Sequence, residues 1–398
     1  MITSLRIDNF KSFHNFHMNF TEFTVIVGNN ASGKSSVLQA ISFLVRSADE
    51  DFDTILEQRG LQIEDIKSKF VKNSNIICLA CGLQLDINGQ IRKLCWEMEI
   101  SVYTKKKTME LTREKVWDEE SDFVLMEYEA GHKLVVYGDG EDKRVYPRLL
   151  LKSSALKVVV DVETERNLPE LVAIKKFLLN SSSYELLSPS DMRQSSRGTA
   201  KTIGMSGRNL PSFIKAMSEE QKVSFMDKIH RILGCGQIEK VETHTKGKPG
   251  WTYIETTEKY DNILVRMTSK DMSDGMLRLL AFVAISEVPE ADSVMLLDEI
   301  ENGININYAE ELLKILQEIY KTKHHQLVVT THSTVFVDYV KADNIVFLYR
   351  ERESGLTKAV KLFEISDMRE RLNYMYPGEV LLNISNEDIV GELLTRGL

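Results

Sequence analysis

The sequence predicts an α/β fold: a mixed sheet with an antiparallel β extension and a helical lobe. Three patterns carry that expectation. A short apolar strand at 23–27 runs through a glycine-punctuated turn into a helical apolar period from Lys34 onward. Residues 75–137 read as successive strand-like runs separated by turn signals, Asn88-Gly89 among them. In the last third, helices and short apolar strands alternate.

Taken in order, Leu5 and Ile7, then Phe16, Met18 and Phe20, alternate with polar neighbours as β structure does. After the turn, Val37, Leu38, Ile41, Leu44 and Val45 recur at three- and four-residue spacings, which makes 34–45 an amphipathic helix. A polar stretch at 49–53 precedes a short helix near 63–70. Strands are expected at 76–85, 93–102, 123–128 and 133–137. Helices follow at 168–179, 210–217 and 219–233, with Ser188-Pro189-Ser190 as a break, and strands at 237–243, 251–255 and 263–267. Then come helix 275–286, strand 293–297, helix 308–320, and strands at 327–330 and 345–349. No repeat and no sustained heptad run is visible.

Composition limits the partners. The 398 residues are 43% hydrophobic and 27% charged, enough to bury a substantial core. Four cysteines cannot frame a disulfide-built protein of this length, and no uncharged run approaches the ~18 apolar residues of a membrane span. A cytoplasmic protein without a membrane partner is expected. With 50 Lys and Arg against 59 Asp and Glu, the net charge is −9, so there is no global basic excess for nucleic acid. Local basic runs, Lys105-Lys106-Lys107 with Arg113 and Lys115, and Arg193, Arg197, Lys201 and Arg208, are either solvated faces or a phosphate-contacting patch.

The sharpest signal is Gly28-Asn29-Asn30-Ala31-Ser32-Gly33-Lys34-Ser35, followed by Ser36, between an apolar strand and a helix. Glycines let the backbone turn its N–H groups onto phosphate oxygens, and the helix N-terminus adds partial positive charge. Lys34 would reach the terminal phosphates, and the Ser35 hydroxyl would join a Mg²⁺ shell. The apolar run 294–297 then delivers Asp298 and Glu299. Asp298 suits the metal ion and Glu299 an attacking water. Ser273-Asp274-Gly275 opens a helix about 20 residues earlier, either as a plain cap on Ser273 or as an anion contact. Thr330-Thr331-His332-Ser333 places an imidazole beyond a strand end. Cys78, Cys81 and Cys95 lack a fourth zinc ligand and read as core cysteines. His324-His325 reads as a solvated turn.

The order of these elements resembles the ATP-binding-cassette ATPases, in the branch of the SMC and RecF proteins. The opening Leu5-Arg6-Ile7-Asp8-Asn9-Phe10-Lys11-Ser12-Phe13 looks like that branch's first strand. The likeness is strong over 1–45 and 260–350 and loose between. Within the branch the chain is most similar to small stand-alone ATPases grouped with the overcoming-lysogenisation-defect family, many of them linked to bacterial anti-phage systems. The resemblance implies ATP and Mg²⁺ as cofactors and a homodimer that sandwiches two ATP molecules. Ser273 and Gly275 would contact the γ-phosphate from the partner chain, and His332 would contact the same phosphate. Gln194 is the candidate for the family's Q-loop glutamine, which lies between the glycine loop and the Ser273 helix, with Gln221 and Gln237 in the same window. Asn302-Gly303 takes the place of the loop after the acids, and Asp274 stands where glycine is commoner.

The expected organisation is one ATPase domain assembled from 1–48, 49–165 (the β extension), 166–260 (the helical lobe) and 261–350, with a tail at 351–398. No nuclease constellation is visible, and the Asp-x-Asp pair of a TOPRIM domain does not occur after His332. The leading expectation is an ATP-hydrolysing switch, the ATPase subunit of a defence or DNA-maintenance complex with a separate effector protein. The alternative is a stand-alone DNA-binding repair protein, which keeps nucleic acid open as a partner.

Overall fold

The computed structural model of the chain describes residues 1–137, 143–147, 149–159, 168–185, 187–234, 238–248 and 250–383. The expected boundary at 165/166, the alternative Gln237 and the far part of the tail lie outside the described residues.

The chain opens with β1 (Ile2–Asp8), β2 (Phe16–Asn19) and β3 (Phe23–Gly28), and β3 leads through the glycine loop into the helix Lys34–Ser47. Next come β4 (Ile76–Ile87), β5 (Gln90–Tyr103), β6 (Thr108–Asp118), β7 (Val124–Glu129), β8 (Lys133–Tyr137) and β9 (Lys143–Pro147). The described remainder supplies β10 (Ser182–Tyr184), β11 (Ile238–Lys246), β12 (Trp251–Tyr260) and β13 (Ile263–Thr268). It ends with β14 (Ser293–Leu297), β15 (His325–Thr330), β16 (Ile345–Arg350) and β17 (Thr357–Val360).

These strands make three sheets. The central one has the order β10-β14-β15-β3-β16-β17, parallel except for β17, and is therefore mixed. Its inner strands β3, β14 and β15 are buried on both faces, which is why 23–27 and 294–297 read as continuous apolar runs. Alternation sends Ile26, Val294, Leu296 and Val328 into one core and Val25, Val27, Met295, Leu297 and Val329 into the other. The first core lies toward the eight-stranded antiparallel sheet, β2-β1-β4-β5-β6-β7-β8-β9, with the helices Lys34–Ser47 and Pro169–Asn180 between. The second holds the helices Glu219–Leu233, Asp274–Ile285 and Ala309–Thr322. β11-β12-β13 form a small antiparallel sheet of their own.

Local chemistry explains the joints. Asn88 (φ 55°) and Gly89 (φ 82°) close the β4–β5 hairpin, the left-handed pair that such a two-residue turn requires. Ser218 and Gln221 cap the helix Glu219–Leu233 reciprocally, so Gln221 is occupied as a capping residue and by the Glu287 carbonyl.

Several expectations change. Pro189 starts a short helix, Pro189–Met192, because a proline at the first position has no N–H to lose. A helix Phe52–Gln58 follows the polar stretch, with Phe52 and Ile55 fully buried. The basic run after Lys107 is strand β6, where Arg113 lies 3.8 Å from Glu127 and the Lys115 ammonium sits 5.3 Å over the Trp117 ring, a mixed-charge face. His325 is not in a solvated turn. It is buried in β15, its Nε2–H donates to the Pro289 carbonyl at 2.9 Å, and its Nδ1 accepts from Ser293 Oγ. Burial lowers its basicity.

Glu114 of β6 ties the antiparallel sheet to the segment after it. Its carboxylate accepts from Trp96 Nε1 at 2.7 Å, from Ser154 Oγ and from the Ala155 N–H, both at 2.6 Å. Burial pushes it up from its ordinary 4.5 to about 7, against those three donors. A raised folded-state pKa means that the folded chain holds the proton longer than the unfolded one. Stability from this group is therefore full below the ordinary pKa and is lost as pH rises, about 3 kcal/mol across the window from 4.5 to about 7. Glu114→Gln is expected to flatten that slope. Thermal midpoints of both proteins at about pH 5 and about pH 7 check it.

Candidate functional site

The glycine loop crosses from β3 to the helix at the C-terminal edge of the central sheet, where parallel α/β sheets place their ligands. Gly28 has φ 147° and Gly33 φ 109°, and a Cβ at Gly28 would lie 2.2 Å from the Leu348 carbonyl oxygen. Ala31 also sits at positive φ, 61°. Only glycine at both ends allows this tight cradle beside β16. The chain that follows holds the loop. Arg350 Nε donates to the Ala31 carbonyl at 2.9 Å, and Thr357 Oγ1 donates to the Ser32 carbonyl at 2.9 Å. Ser12 Oγ lies 2.8 Å from Thr357 Oγ1 and must donate to it.

Inside the cradle Lys34 is buried and donates to the loop's own carbonyls, Gly28 O at 2.8 Å and Asn29 O at 3.0 Å. Burial holds its ammonium below the ordinary lysine range, while the carboxylates of Glu299, Asp298 and Glu301 pull it the other way. Ser32 Oγ is buried without a hydrogen-bond partner. Asn29 and Asn30 are exposed, and Ser36 is half-buried on the first helical turn.

Ser35 Oγ donates to Asp298 Oδ1 at 3.2 Å, which joins the loop to the end of β14. Thr330, ending β15, also donates to Asp298 Oδ1 and accepts from the Glu299 N–H at 2.9 Å. One hydroxyl thus orients both acids, a role that the sequence reading did not assign. Burial raises the Asp298 pKa, the donors Thr330 and Ser35 lower it, and Glu185 and Glu299 raise it again. A cation there would relieve a carboxylate that burial penalises, and the hydroxyl beside it is a second oxygen donor. The donor set suits Mg²⁺, and the glycine cradle with its unpartnered Ser32 hydroxyl suits a phosphate chain.

Glu299 stands at φ 46°, an unusual backbone for a non-glycine residue, and its carboxylate is half-exposed. Asn302 Nδ2 donates to its Oε2 at 3.3 Å, and His332 Nε2 lies 3.8 Å from its Oε1. The His332 backbone N–H donates to Glu301.

Not every expected residue joins this group. Ser273 caps its own helix, accepting from the Met276 N–H at 3.2 Å, and it is exposed. Gly275 packs so closely on the turn after the acids that a Cβ would lie 2.4 Å from the Gly303 carbonyl oxygen. Among the described residues no hydrogen bond links 273–275 to the glycine loop. Gln194 is exposed and does not line the cleft of about 390 Å³ around Asp298 and Glu299.

Glu185 and Arg278 do line it, and the sequence reading missed both. Glu185 follows β10, the strand beside β14, and its buried carboxylate meets the buried Arg59 guanidinium at 2.7 Å. Arg59 also donates to Ser42 Oγ of the first helix at 2.6 Å. The signal was there in principle, an acid directly after a short strand, but the adjacency of β10 to β14 was not legible.

A family model for the AAA ATPase domain matches residues 1–337. The chain belongs to the AAA ATPase domain family. Among solved structures it is similar to an Smc head domain with an extended coiled coil, bound to the C-terminal domain of ScpA and derived from Pyrococcus furiosus. The two are 14% identical over 94% of this chain and 99% of that one, with a TM-score of 0.51. A second Smc head, bound to the C-winged helix domain of ScpA, is 15% identical over 90% of this chain and 96% of that one, at a TM-score of 0.49. At such identities the likeness concerns the fold, an SMC-type ATPase head. An ATP/GTP phosphatase of Helicobacter pylori is 41% identical over 58 residues, and this stretch spans 14% of the chain and 16% of that relative. Among the described residues no helix is long and apolar enough to cross a membrane.

Proposed function

We propose that this chain hydrolyses ATP with Mg²⁺, pairs with a second copy around two ATP molecules, and drives a separate effector in a bacterial anti-phage defence or DNA-maintenance complex. The observation that carries the reading is the convergence of Lys34, Ser35 and Asp298 at one sheet edge, with Glu299 beside them. Lys34, already drawn to the loop mouth, would exchange two carbonyl partners for phosphate oxygens. Mg²⁺ held by Ser35 and Asp298 would neutralise charge on those oxygens. Glu299, oriented by Thr330, Asn302 and the nearby His332, would take the proton of an attacking water. His332 would then hold the phosphate from the same side.

Pairing is supported by what one chain leaves undone. The helix start, with Ser273 and Asp274 exposed, makes no hydrogen bond to its own loop, although it presents a hydroxyl and N–H groups of the first turn. A partner's helix start would complete each site, and a two-fold pair makes both sites equivalent. The Smc head of TM-score 0.51 was solved with a ScpA domain bound, which supports an effector seated on the head here. Release of phosphate from ATP by the full chain, with Mg²⁺ and with a chelator in its place, tests the core of the reading. Turnover should require the metal, and no turnover in either condition would overturn it.

A further inference from the structure

The β11-β12-β13 sheet has one face packed inward and one in water. Thr252, Ile254 and Thr256 point inward and are buried over the helix Leu210–Ala216. The register puts Lys246 opposite Trp251, His244 opposite Tyr253 and Glu242 opposite Glu255, all on the outward face. Thr257 on that face pairs with Lys240 on one side and Arg266 on the other.

This face departs from the rest of the chain in charge. Among the described residues that the register sets on this face, Lys240, Lys246, Lys259 and Arg266, with the overhanging Arg197, meet the carboxylates Glu242 and Glu255, in a protein of net charge −9. Glu255 lies 3.5 Å from His244 and 3.9 Å from Arg266, whose side chain is otherwise exposed. The aromatic rings lie among the cations. The Arg197 guanidinium stacks 3.9 Å over the Trp251 ring, and Lys246 lies 4.8 Å over Tyr253. Trp251 is nonetheless 43% exposed.

The Arg197–Trp251 stack is built in. Ser196 and Thr252 exchange two backbone hydrogen bonds of 2.9 Å, and the Ser212 N–H donates to Ser196 Oγ at 2.9 Å. The arginine beside Ser196 is therefore placed over the indole before any ligand arrives. A water-facing indole and guanidinium in a stack form a platform for an unpaired base. The lysines and Arg266 share that face and offer cations to the phosphates of such a strand.

We propose that this face binds single-stranded nucleic acid, with bases stacked at Trp251–Arg197 and Tyr253 and phosphates on Lys240, Lys246 and Arg266. A duplex is disfavoured, because its bases are already stacked and a shallow sheet cannot reach their faces. An acidic peptide would satisfy the cations and leave the stack without a role. The inference shares no residue with the nucleotide site and does not depend on ATP turnover.

The test is fluorescence anisotropy of the full chain, without nucleotide, against labelled oligo(dT) and oligo(U) of about 20 nucleotides and a blunt duplex of the same length. Single strands should bind more tightly than the duplex, the DNA and RNA arms deciding which sugar is preferred. Affinity should fall steeply between about 50 and about 200 mM salt. Trp251→Ala should weaken binding about 10- to 100-fold, and Trp251→Phe should keep most of it, since the phenyl ring still stacks. Lys240→Ala with Lys246→Ala should lower the slope of log affinity against log salt by about one unit or slightly more. Equal or tighter duplex binding, wild-type affinity in Trp251→Ala, or displacement of the oligonucleotide by polyglutamate at equal charge would each overturn the proposal.

Discussion

Glu299→Gln is expected to keep ATP bound and to slow its turnover by about 10²- to 10⁴-fold, the range for loss of a positioned general base. Glutamine preserves the volume and can keep one hydrogen bond with Asn302, which now donates to Glu299 Oε2 at 3.3 Å. The backbone N–H bonded to Thr330 is untouched, so the acid edge keeps its shape. What is lost is the capacity to accept a proton. Lys34→Ala should fail earlier, at binding. It removes the one ammonium inside the loop, which donates to the Gly28 and Asn29 carbonyls, and leaves the Asn29 carbonyl with the Ser32 N–H alone. Nucleotide affinity measured by calorimetry beside phosphate release separates the two variants. Wild-type turnover in Glu299→Gln would remove the base from Glu299 and return the strained residue to a structural role.

Mixing two inactive chains should restore activity if each site is shared. Lys34→Ala spoils the loop and Ser273→Arg spoils the helix start. A mixed pair then carries both lesions in one site and neither in the other. With equal amounts and free exchange, about a quarter of wild-type turnover should return, because half the pairs are mixed and each has one intact site. Ser273 also caps its helix, and losing that cap costs about 1 kcal/mol, so a second variant is needed. Ser273→Asp keeps a capping oxygen but sets a negative charge where a phosphate would lie. Full activity in Ser273→Asp, or no recovery in mixtures whose subunits demonstrably exchange, would leave Ser273 as a helix cap alone.

Much of the site was legible because its parts are local. The loop 28–35 needs glycine at two positive-φ positions within six residues, and the helix after it needs an apolar period, both written along one stretch. The apolar run ending in Asp298 and Glu299 is equally local, as are the Asn88-Gly89 turn and the Ser218–Gln221 capping box. Such signals depend only on neighbours in sequence, so they survive without knowledge of the fold.

The partners of those residues came from sheet order, which no local signal encodes. β1 and β2 were read with the loop, yet β1 pairs with β4 and carries β2 on its other side into the antiparallel sheet. Thr330 became the hinge of the acid pair because β15 lies between β14 and β3. The same order carried Glu185 to the cleft and left Gln194 in solvent. Arg350 and Thr357 hold the loop although they lie past the family match, since β16 pairs with β3 and β17 with β16. By itself, then, the sequence determined the backbone conformations and the chemical groups of a phosphate-binding loop with its acid pair. Which distant side chains orient those groups was decided only by the tertiary structure. Hydrogen bonds between residues hundreds of positions apart form only after burial has chosen the order of the strands.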